Sequence, residues 1–289
     1  MTRKTVKIAN KMVGDGYPCF VVGEIGINHN GSLDLAKKLI LDAKHCGCDA
    51  VKFQKRTIEL VYSKEELEKP RESVFGETNG DLKRGLEFSL EQYREIDRYC
   101  KELGIIWFAS CWDLKSVDDM EELDVCAHKI PSALLVNKEL LKKVKSTGKP
   151  VLLSCGMSSE KEIEEAIEIL GLDNLILYHC TSTYPTDINE INLNYIPKLR
   201  EKYPCPIGYS GHEKGIMPSV GAVIMGANSI ERHITLDRTL WGSDQSASLE
   251  PYGLSKMIRD IRNVKAMMGD GVKHVYNSEI PIMKKLRRY

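Results

Sequence analysis

The stretch PIGYSGHEKGIMPSVGAVIMGANSIERHIT, residues 206–235, contains two short apolar runs that are separated by a segment of helical length. The first run ends at His212 and the second carries His233 near its end. This strand–helix–strand pattern is typical of parallel sheets, in which the carboxyl ends of neighbouring strands open onto one crevice. Two imidazoles at that edge predict a site for one divalent cation. The alternative for each histidine is a core position with hydrogen bonds to the backbone.

The same alternation extends over most of the chain and predicts the fold. The eight candidate strands are residues 20–28, 50–55, 105–110, 127–132, 150–156, 174–180, 206–212 and 229–235. Segments with helical spacing follow them, and three of these segments begin or end at the capping residues Ser32, Ser89 and Gly171. Eight such units predict an α/β protein with a closed (β/α)8 TIM barrel. An open dinucleotide-binding sheet is disfavoured because residues 23–31, GEIGINHNG, lack the GxGxxG spacing.

Three segments lie outside this alternation. Residues 1–19 predict an N-terminal β-hairpin, with TVKIAN and PCF on either side of the turn signal GDGYP, that covers the amino-terminal mouth of the barrel. The catalytic barrel is expected over residues 20–271, and residues 272–289 form a C-terminal tail too short for a further domain. Residues 57–89 predict a long charged loop, which at this length is typical of a functional lid.

The composition excludes two classes of partner. Of the 289 residues 42% are hydrophobic, and 41 Lys and Arg residues balance 41 Asp and Glu residues. This balance lacks the basic surface that sequence-independent nucleic-acid binding requires, and no apolar run approaches the ~20 residues that span a bilayer. We therefore expect no nucleic-acid partner and no membrane partner. The nine cysteines lack repeated CxxC spacing, which favours reduced thiols and a cytoplasmic location.

Polar side chains stand at the predicted strand ends, where the active sites of barrels lie. Lys52 and Lys129 fall within apolar runs, and an unpaired ammonium group is costly to bury. Each lysine should therefore meet an anion, which is either a carboxylate of Glu24 or Glu231 or a small phosphorylated ligand. The hydroxyl groups that would complete an anion pocket belong to Ser110, Ser132, Ser182 and Ser210.

A divalent cation beside an anion pocket favours Lewis-acid chemistry, in which the cation polarises a carbonyl group while the lysines neutralise phosphate charge. Three carboxylates are candidates for proton transfer or for contacts with sugar hydroxyl groups: Glu24, Glu231 and Asp244.

These residues belong to an ordered set of motifs that resembles the sialic acid synthase (N-acetylneuraminate synthase) family. The motifs, over roughly residues 20–265, are GEIGINHNGS, VKFQ, HKIPS, GKPVLLSCGMSS, HCTSTYPT, IGYSGH, GANSIERHIT and WGSDQSAS. Members condense phosphoenolpyruvate with an amino sugar such as N-acetylmannosamine, forming a carbon–carbon bond and a nine-carbon 2-keto-3-deoxy acid. The resemblance thus implies a transferase whose substrates are phosphoenolpyruvate and an aldose.

The resemblance also implies roles for individual residues. His212 and His233 would bind a divalent metal, commonly Mn2+ with Mg2+ or Co2+ as alternatives, and Glu24 is the first choice for proton handling. The residues implied around phosphoenolpyruvate are Lys52, Ser110, Lys129, Ser132, Ser182 and Ser210. Those implied at the acceptor sugar are Glu24, Gln54, Tyr184 and Asp244, with Asn79 as the counterpart of an asparagine in the family's long loop, while Glu231 stays the substrate-binding candidate named above.

The chain departs from the family pattern in three places. Strand four reads KIPSAL, with Leu134 where relatives carry an acidic residue, and Ser182 replaces a frequent asparagine. The resemblance covers the catalytic barrel and leaves out the C-terminal antifreeze-like domain, so we expect a homo-oligomer formed through barrel faces. Two alternatives therefore remain open: the same chemistry on a sugar without an N-acetyl group, giving a KDN- or KDO-type product, and a non-catalytic sugar-binding barrel. A metal-dependent hydrolase or lyase would rest on fold analogy alone.

Overall fold

A computed structural model describes residues 3–287 of the chain. The strands are β1 Val6–Ile8, β2 Lys11–Val13, β3 Phe20–Gly26, β4 Ala50–Lys55, β5 Pro70–Ser73, β6 Gly76–Thr78, β7 Ile106–Cys111, β8 His128–Ile130, β9 Val151–Ser154, β10 Leu175–His179, β11 Ile207–Gly211 and β12 Ser229–His233. The α-helices are α1 Leu33–Cys46, α2 Ile58–Val61, α3 Lys64–Glu68, α4 Asn79–Leu86, α5 Leu90–Leu103, α6 Leu114–Glu122, α7 Lys138–Ser146, α8 Glu160–Leu170, α9 Tyr195–Lys202, α10 Met217–Ile224, α11 Pro251–Met268 and α12 Ile280–Leu286.

Eight parallel strands close into a barrel, which confirms the predicted TIM-barrel fold. The barrel strands are β3, β4, β7, β8, β9, β10, β11 and β12, and each pairs with its neighbours in that order. The pairing of β12 with β3, with Ile230 opposite Val21, closes the ring. Its strands are buried along their whole length apart from single residues in β4 and β7, as expected for a parallel sheet that is covered by helices.

The helices begin and end where capping chemistry directs them. Ser32 caps α1 by accepting a hydrogen bond from the Leu35 amide, and Ser89 caps α5 in a reciprocal capping box. Gly171 ends α8. These bonds satisfy backbone groups that a helix terminus leaves without a partner, so the predicted caps are confirmed.

The N-terminal hairpin is present, but its turn lies earlier than the sequence pattern indicated. β1 pairs with β2, with Val6 opposite Val13, and the turn between them contains Ala9 in a left-handed conformation. The glycine-rich GDGYP signal follows the hairpin and leads into β3. The buried side chains of Val6, Ile8 and Val13 join the main core.

Residues 57–89 are not a structureless loop. They form α2, α3, the two-stranded β5–β6 sheet and α4. Gly31, at the start of the connection to α1, lies so close to this segment that a Cβ atom there would stand 2.2 Å from the Gly85 carbonyl oxygen. The backbone of Gly31 also has a positive φ of +74°, so both contact and conformation require glycine.

The chain beyond the barrel is exposed. α12 lies within the predicted tail and buries none of its residues. In the range 3–287 no helix has both the length and the apolar character needed to cross a lipid bilayer.

Candidate active site

A cavity of about 180 Å3 opens at the carboxyl ends of the barrel strands. It is lined by Glu24, Lys52, Gln54, Ser110, Trp112, Lys129, Pro131, Ser132, Ala133, Ser154, Met157, Cys180, Ser182, Tyr184, Ser210, His212, Glu231 and His233. All of the site residues predicted from the sequence are among them except Asn79 and Asp244. Residues that are distant in sequence were therefore correctly predicted to lie together from their positions at the ends of strands.

The strand register explains why these side chains meet. Across neighbouring strands, His233 is paired with Glu24, Glu24 with Lys52, and Ser110 with Lys129. Paired residues of parallel strands project to the same side of the sheet, so the register alone arranges the charges around the inner wall of the barrel.

Two buried lysines and two buried carboxylates form the floor of the cavity. The Lys52 Nζ atom lies 3.0 Å from Glu24 Oε2 and 3.7 Å from Glu231 Oε1, and the Lys129 Nζ atom lies 3.4 Å from Glu231 Oε1. Lys52 also donates a hydrogen bond to Ser110 Oγ at 2.8 Å. The salt bridges weighed from the sequence thus exist, and both ammonium groups still line the cavity, where a bound anion would meet them.

The two carboxylates differ in their affinity for a proton. Burial raises the pKa of Glu24 to about 7, with Lys52 opposing this effect and Glu231 adding to it. Burial also disfavours the charged form of Glu231, but the attraction of Lys129 and Lys52 outweighs it and lowers the pKa of Glu231. Near neutral pH, therefore, Glu231 is the fixed anion between the lysines, and Glu24 is poised to accept or release a proton.

His212 and His233 stand side by side, with ring centroids 5.5 Å apart. The Nδ1 atom of His212 lies 2.7 Å from the Thr181 carbonyl oxygen, which can only accept, so Nδ1 carries the proton and Nε2 keeps its lone pair. Burial lowers the pKa of both imidazoles, that of His212 to about 4. Both rings are therefore neutral at physiological pH, which is the form that binds metals.

These residues fit a divalent cation that keeps open coordination positions. Oε2 of Glu231 is buried without a hydrogen-bond partner, and Nε2 of His212 keeps its lone pair, so both atoms remain available to coordinate a metal. Within the described part of the chain, no group of three His, Cys, Asp or Glu residues is arranged to enclose a metal by itself. A cation held by two imidazoles would complete its coordination with oxygen atoms of substrate and water, as catalytic metal sites do.

Small residues leave room for an anion beside the lysines. The hydroxyl group of Ser132 accepts a hydrogen bond from the Gly156 amide at 3.1 Å. A Cβ atom on Gly156 would lie 2.3 Å from Ser182 Oγ and 2.9 Å from Ser132 Oγ, so only glycine permits both hydroxyl groups to approach. Ser210 Oγ is already engaged with Glu231 Oε1 at 3.1 Å.

Two predicted residues lie outside the cavity lining. The amide of Asn79 donates to the Glu66 carbonyl oxygen at 3.1 Å and its oxygen accepts from Arg71, so it joins α4 to α3 and β5, and its role at the sugar stays a prediction. Asp244 does not line the cavity either, but its Oδ2 lies 3.7 Å from Nδ1 of His233. It can orient the imidazole from there.

Sequence reasoning missed several lining residues. Ser154, the last residue of β9, receives a hydrogen bond from Lys129, and Trp112 follows β7 directly. Both occupy strand-end positions, so the same rule could have found them. Met157 and Cys180 carried no such chemical signal.

Comparisons with known proteins agree with this geometry. A model of the NeuB family matches residues 39–273. N-acetylneuraminate-9-phosphate synthase of Homo sapiens is 42% identical over 281 residues, which cover 96% of this chain and 78% of that protein. N,N'-diacetyllegionaminic acid synthase of Campylobacter jejuni is 38% identical over 267 residues, which cover 90% of this chain and 80% of that protein.

A solved structure gives the same result in three dimensions. The crystal structure of the N-acetylneuraminic acid (sialic acid) synthetase of Leptospira borgpetersenii in complex with citrate superposes with a TM-score of 0.86. The sequence identity is 32%, and the superposition covers 99% of both chains.

Proposed function

The chain belongs to the NeuB family, and from that premise we propose that it condenses phosphoenolpyruvate with an aldose of the N-acetylmannosamine type, in a metal-dependent reaction that yields a nonulosonic acid and phosphate. As a sialic-acid-type synthase it is an enzyme that forms a carbon–carbon bond. The observation that carries the proposal is the meeting of Lys52, Lys129, His212 and His233 in one cavity at the carboxyl end of the barrel.

The lysines suit phosphoenolpyruvate because that substrate carries a phosphate and a carboxylate. Lys52 and Lys129 would neutralise this charge, and the hydroxyl groups of Ser132 and Ser182 would donate to its oxygen atoms. In this scheme the lysines attract phosphoenolpyruvate through their positive charge and do not act as nucleophiles, since the reaction needs no Schiff base.

The acceptor aldehyde would lie between Glu24 and the two imidazoles. A divalent cation bound by His212 and His233 would supply Lewis-acid polarisation of the aldehyde oxygen. The methylene carbon of phosphoenolpyruvate attacks the aldehyde carbon, and Glu24 gives its proton to the oxygen that becomes the new hydroxyl group. Water then adds to the former C2 of phosphoenolpyruvate and returns one proton to Glu24. As that carbon becomes the ketone, its bond to the bridging oxygen breaks, and phosphate leaves with this oxygen and with the second proton of the water.

A substrate without an N-acetyl group is the second candidate. Leu134 motivates it, because the family motif implies an acidic residue at this position. Leu134 packs against the core, whereas its neighbour Ala133 lines the cavity. The site therefore lacks an acidic contact near the acceptor and gains no bulky group in the cavity, which favours a sugar without the N-acetyl group as the second candidate.

One experiment tests the proposal. Phosphate release should be measured with phosphoenolpyruvate and a panel of mannose, N-acetylmannosamine, its 6-phosphate and arabinose 5-phosphate, with and without a chelator. We expect release only with an N-acetylated sugar, a product mass equal to the sum of the two substrates plus water minus phosphoric acid, loss on chelation and recovery with Mn2+. Turnover without phosphoenolpyruvate would indicate a hydrolase or lyase instead, and ligand-induced stabilisation without phosphate release would indicate a sugar-binding barrel.

A further inference from the structure

A second cavity adjoins the active site on the side of residues 57–89, and we call it the distal pocket. It is lined by Ile27, Gln54, Arg56, Ile58, Tyr62, Lys83, Leu86 and Glu87. Gln54 lines both cavities. Its Nε2 donates to Glu24 Oε1 at 3.0 Å, and its Oε1 accepts from Arg56 Nη2 at 2.6 Å. One side chain therefore separates the reacting end of the active site from the guanidinium group of Arg56.

Two cations face the distal pocket without a carboxylate partner in residues 3–287. Lys83 makes no ion pair, and its Nζ lies 5.1 Å from the centre of the Tyr62 ring. Arg56 stacks over Trp112 at 4.1 Å and makes no ion pair, and its buried Nε has no hydrogen-bond partner. Unsatisfied positive charge beside a cavity indicates a site for an anion.

The neighbouring cations, unlike the two that face the distal pocket, are paired with carboxylates. Lys55 pairs with Glu87 at 2.8 Å, and Arg84 pairs with Glu59 at 3.0 Å. Lys83 and Arg84 are consecutive residues of α4, yet the one that faces solvent is neutralised and the one that lines the pocket is not.

The single carboxylate of the distal pocket does not cancel this charge. Glu87 is held by Lys55 and also accepts a hydrogen bond from the Arg56 amide at 3.3 Å. Ile27, Ile58 and Leu86 supply the apolar part of the wall, which strengthens the attraction between the cations and a bound anion. The pocket volume of about 40 Å3 exceeds the ~10–15 Å3 that one water molecule needs and admits a group of a few oxygen atoms.

We propose that the distal pocket binds the terminal phosphate of the acceptor sugar through Lys83 and Arg56, so that the substrate of this chain is an aldose phosphate. This inference rests on the proposed function, which sets the aldehyde of the acceptor beside Glu24. Because Gln54 lines both cavities, an acceptor whose aldehyde lies there can reach past Gln54 into the distal pocket with its far end. The human relative named above is a 9-phosphate synthase, whose product carries phosphate on its last carbon.

The test compares N-acetylmannosamine with its 6-phosphate at saturating phosphoenolpyruvate. For the wild-type chain we expect kcat/KM to favour the phosphorylated sugar. Lys83→Met should lower that preference about tenfold to a hundredfold, through KM for the phosphorylated sugar, because a charge-assisted contact is lost. Lys83→Arg should restore most of it. Arg84→Met is the matched control, one residue away on the same helix, and should leave the preference unchanged.

The outcomes separate this inference from the function on which it rests. Condensation of the free sugar in preference to the phosphorylated one overturns the distal phosphate site and leaves the synthase intact. Equal effects of Lys83→Met and Arg84→Met on the preference also overturn it. Failure of every sugar in the panel to react with phosphoenolpyruvate rejects the proposed function instead. Titration of the metal-free protein with the sugar phosphate, which should bind more weakly to Lys83→Met, gives a readout that does not depend on turnover.

Discussion

Arg232 donates hydrogen bonds to the carboxylate of Glu213 at 2.9 Å and to its main-chain carbonyl oxygen at 2.6 Å, and both residues are buried. Glu213 directly follows His212, and Arg232 directly precedes His233. The pair therefore joins the chain beside one imidazole to the chain beside the other. Tyr209 adds a further bond to the carboxylate at 2.8 Å. The spacing of the two histidines is set by this buried pair as well as by the sheet.

Glu213→Gln should weaken metal binding without touching either imidazole. The amide keeps the shape of the carboxylate but loses the charge that holds Arg232, so the two histidines gain freedom. Outer-shell changes of this kind lower metal affinity about 10- to 100-fold. Titration calorimetry with Mn2+ measures the loss directly.

The control for this prediction is Glu165→Gln, which removes the partner of Lys138 in an exposed ion pair. It should leave Mn2+ affinity unchanged. Urea unfolding of the metal-free proteins should show that Glu213→Gln still folds. A folded Glu213→Gln variant with wild-type affinity for Mn2+ contradicts the positioning role.

Much of the site could be predicted from the sequence because a closed barrel leaves little choice. Once eight strand runs are recognised, their carboxyl ends must meet, so His212, His233, Lys52 and Lys129 had to share a cavity. The partner of each lysine could not be predicted in the same way. Lys129 and Glu231 are 102 residues apart, and only the strand register determines that they touch.

Local sequence pattern does not determine tertiary contacts, as two segments of this chain show. The resemblance places Asn79 at the sugar site, and in the structure its segment folds into its own helices and hairpin, which the asparagine joins. The glycine-rich signal predicts the turn of the N-terminal hairpin at GDGYP, whereas the observed turn lies earlier and has Ala9 in the left-handed conformation. Pairing of Val6 with Val13 buries both side chains in the core, which favours this register over the better turn sequence.

Lys129→Met should raise the KM for phosphoenolpyruvate by at least about tenfold, because a buried positive charge facing the cavity is lost. The fold should survive, since Glu231 keeps Lys52 at 3.7 Å and Ser210 at 3.1 Å. Initial rates over a range of phosphoenolpyruvate concentrations give the KM. Lys101→Met, in an exposed pair with Asp97, serves as the control. An unchanged KM in Lys129→Met would mean that this lysine is only a structural partner of Glu231.

Glu24→Gln should lower kcat about 10²- to 10⁴-fold, the usual contribution of a general acid or base, because an amide cannot transfer the proton. Phosphoenolpyruvate should still bind, as thermal stabilisation by the ligand would show, since Lys52 and Lys129 remain. A variant with near-normal kcat would assign the proton to another group.

Glu231→Gln provides the contrast, because Glu231 is the fixed anion between the two lysines. Its loss leaves Lys52 and Lys129 buried with insufficient negative charge, and removal of one partner of a buried pair costs about 3–5 kcal/mol. We expect a large drop in the free energy of unfolding in urea. A similar drop in Glu24→Gln would show that the two carboxylates are not distinguished as the structure indicates.

His29 should make the stability of the protein depend on pH. Its Nδ1 accepts a hydrogen bond from the Gly31 amide at 3.1 Å, and its ring stacks on Phe88 with the centroids 4.0 Å apart. Burial lowers the pKa of His29 to about 3, while an unfolded histidine titrates near ~6.5. The neutral ring is thus favoured by the fold. The contribution is complete above pH ~6.5 and is lost as the pH falls toward 3, because the unfolded chain binds a proton that the native state does not.

The measurable consequence is a steeper dependence of the unfolding free energy on pH. Below pH ~6 the unfolding free energy of the wild-type protein should fall by up to about 1.4 kcal/mol per pH unit more than that of His29→Gln, which has no proton to bind at this position. Urea unfolding of the metal-free proteins between pH 7.5 and 4.5 gives both curves. His45→Gln, which replaces an exposed histidine of α1, should follow the wild-type curve. Parallel curves for the wild type and His29→Gln would mean that His29 takes up its proton in the native state, which its contact with the Gly31 amide opposes.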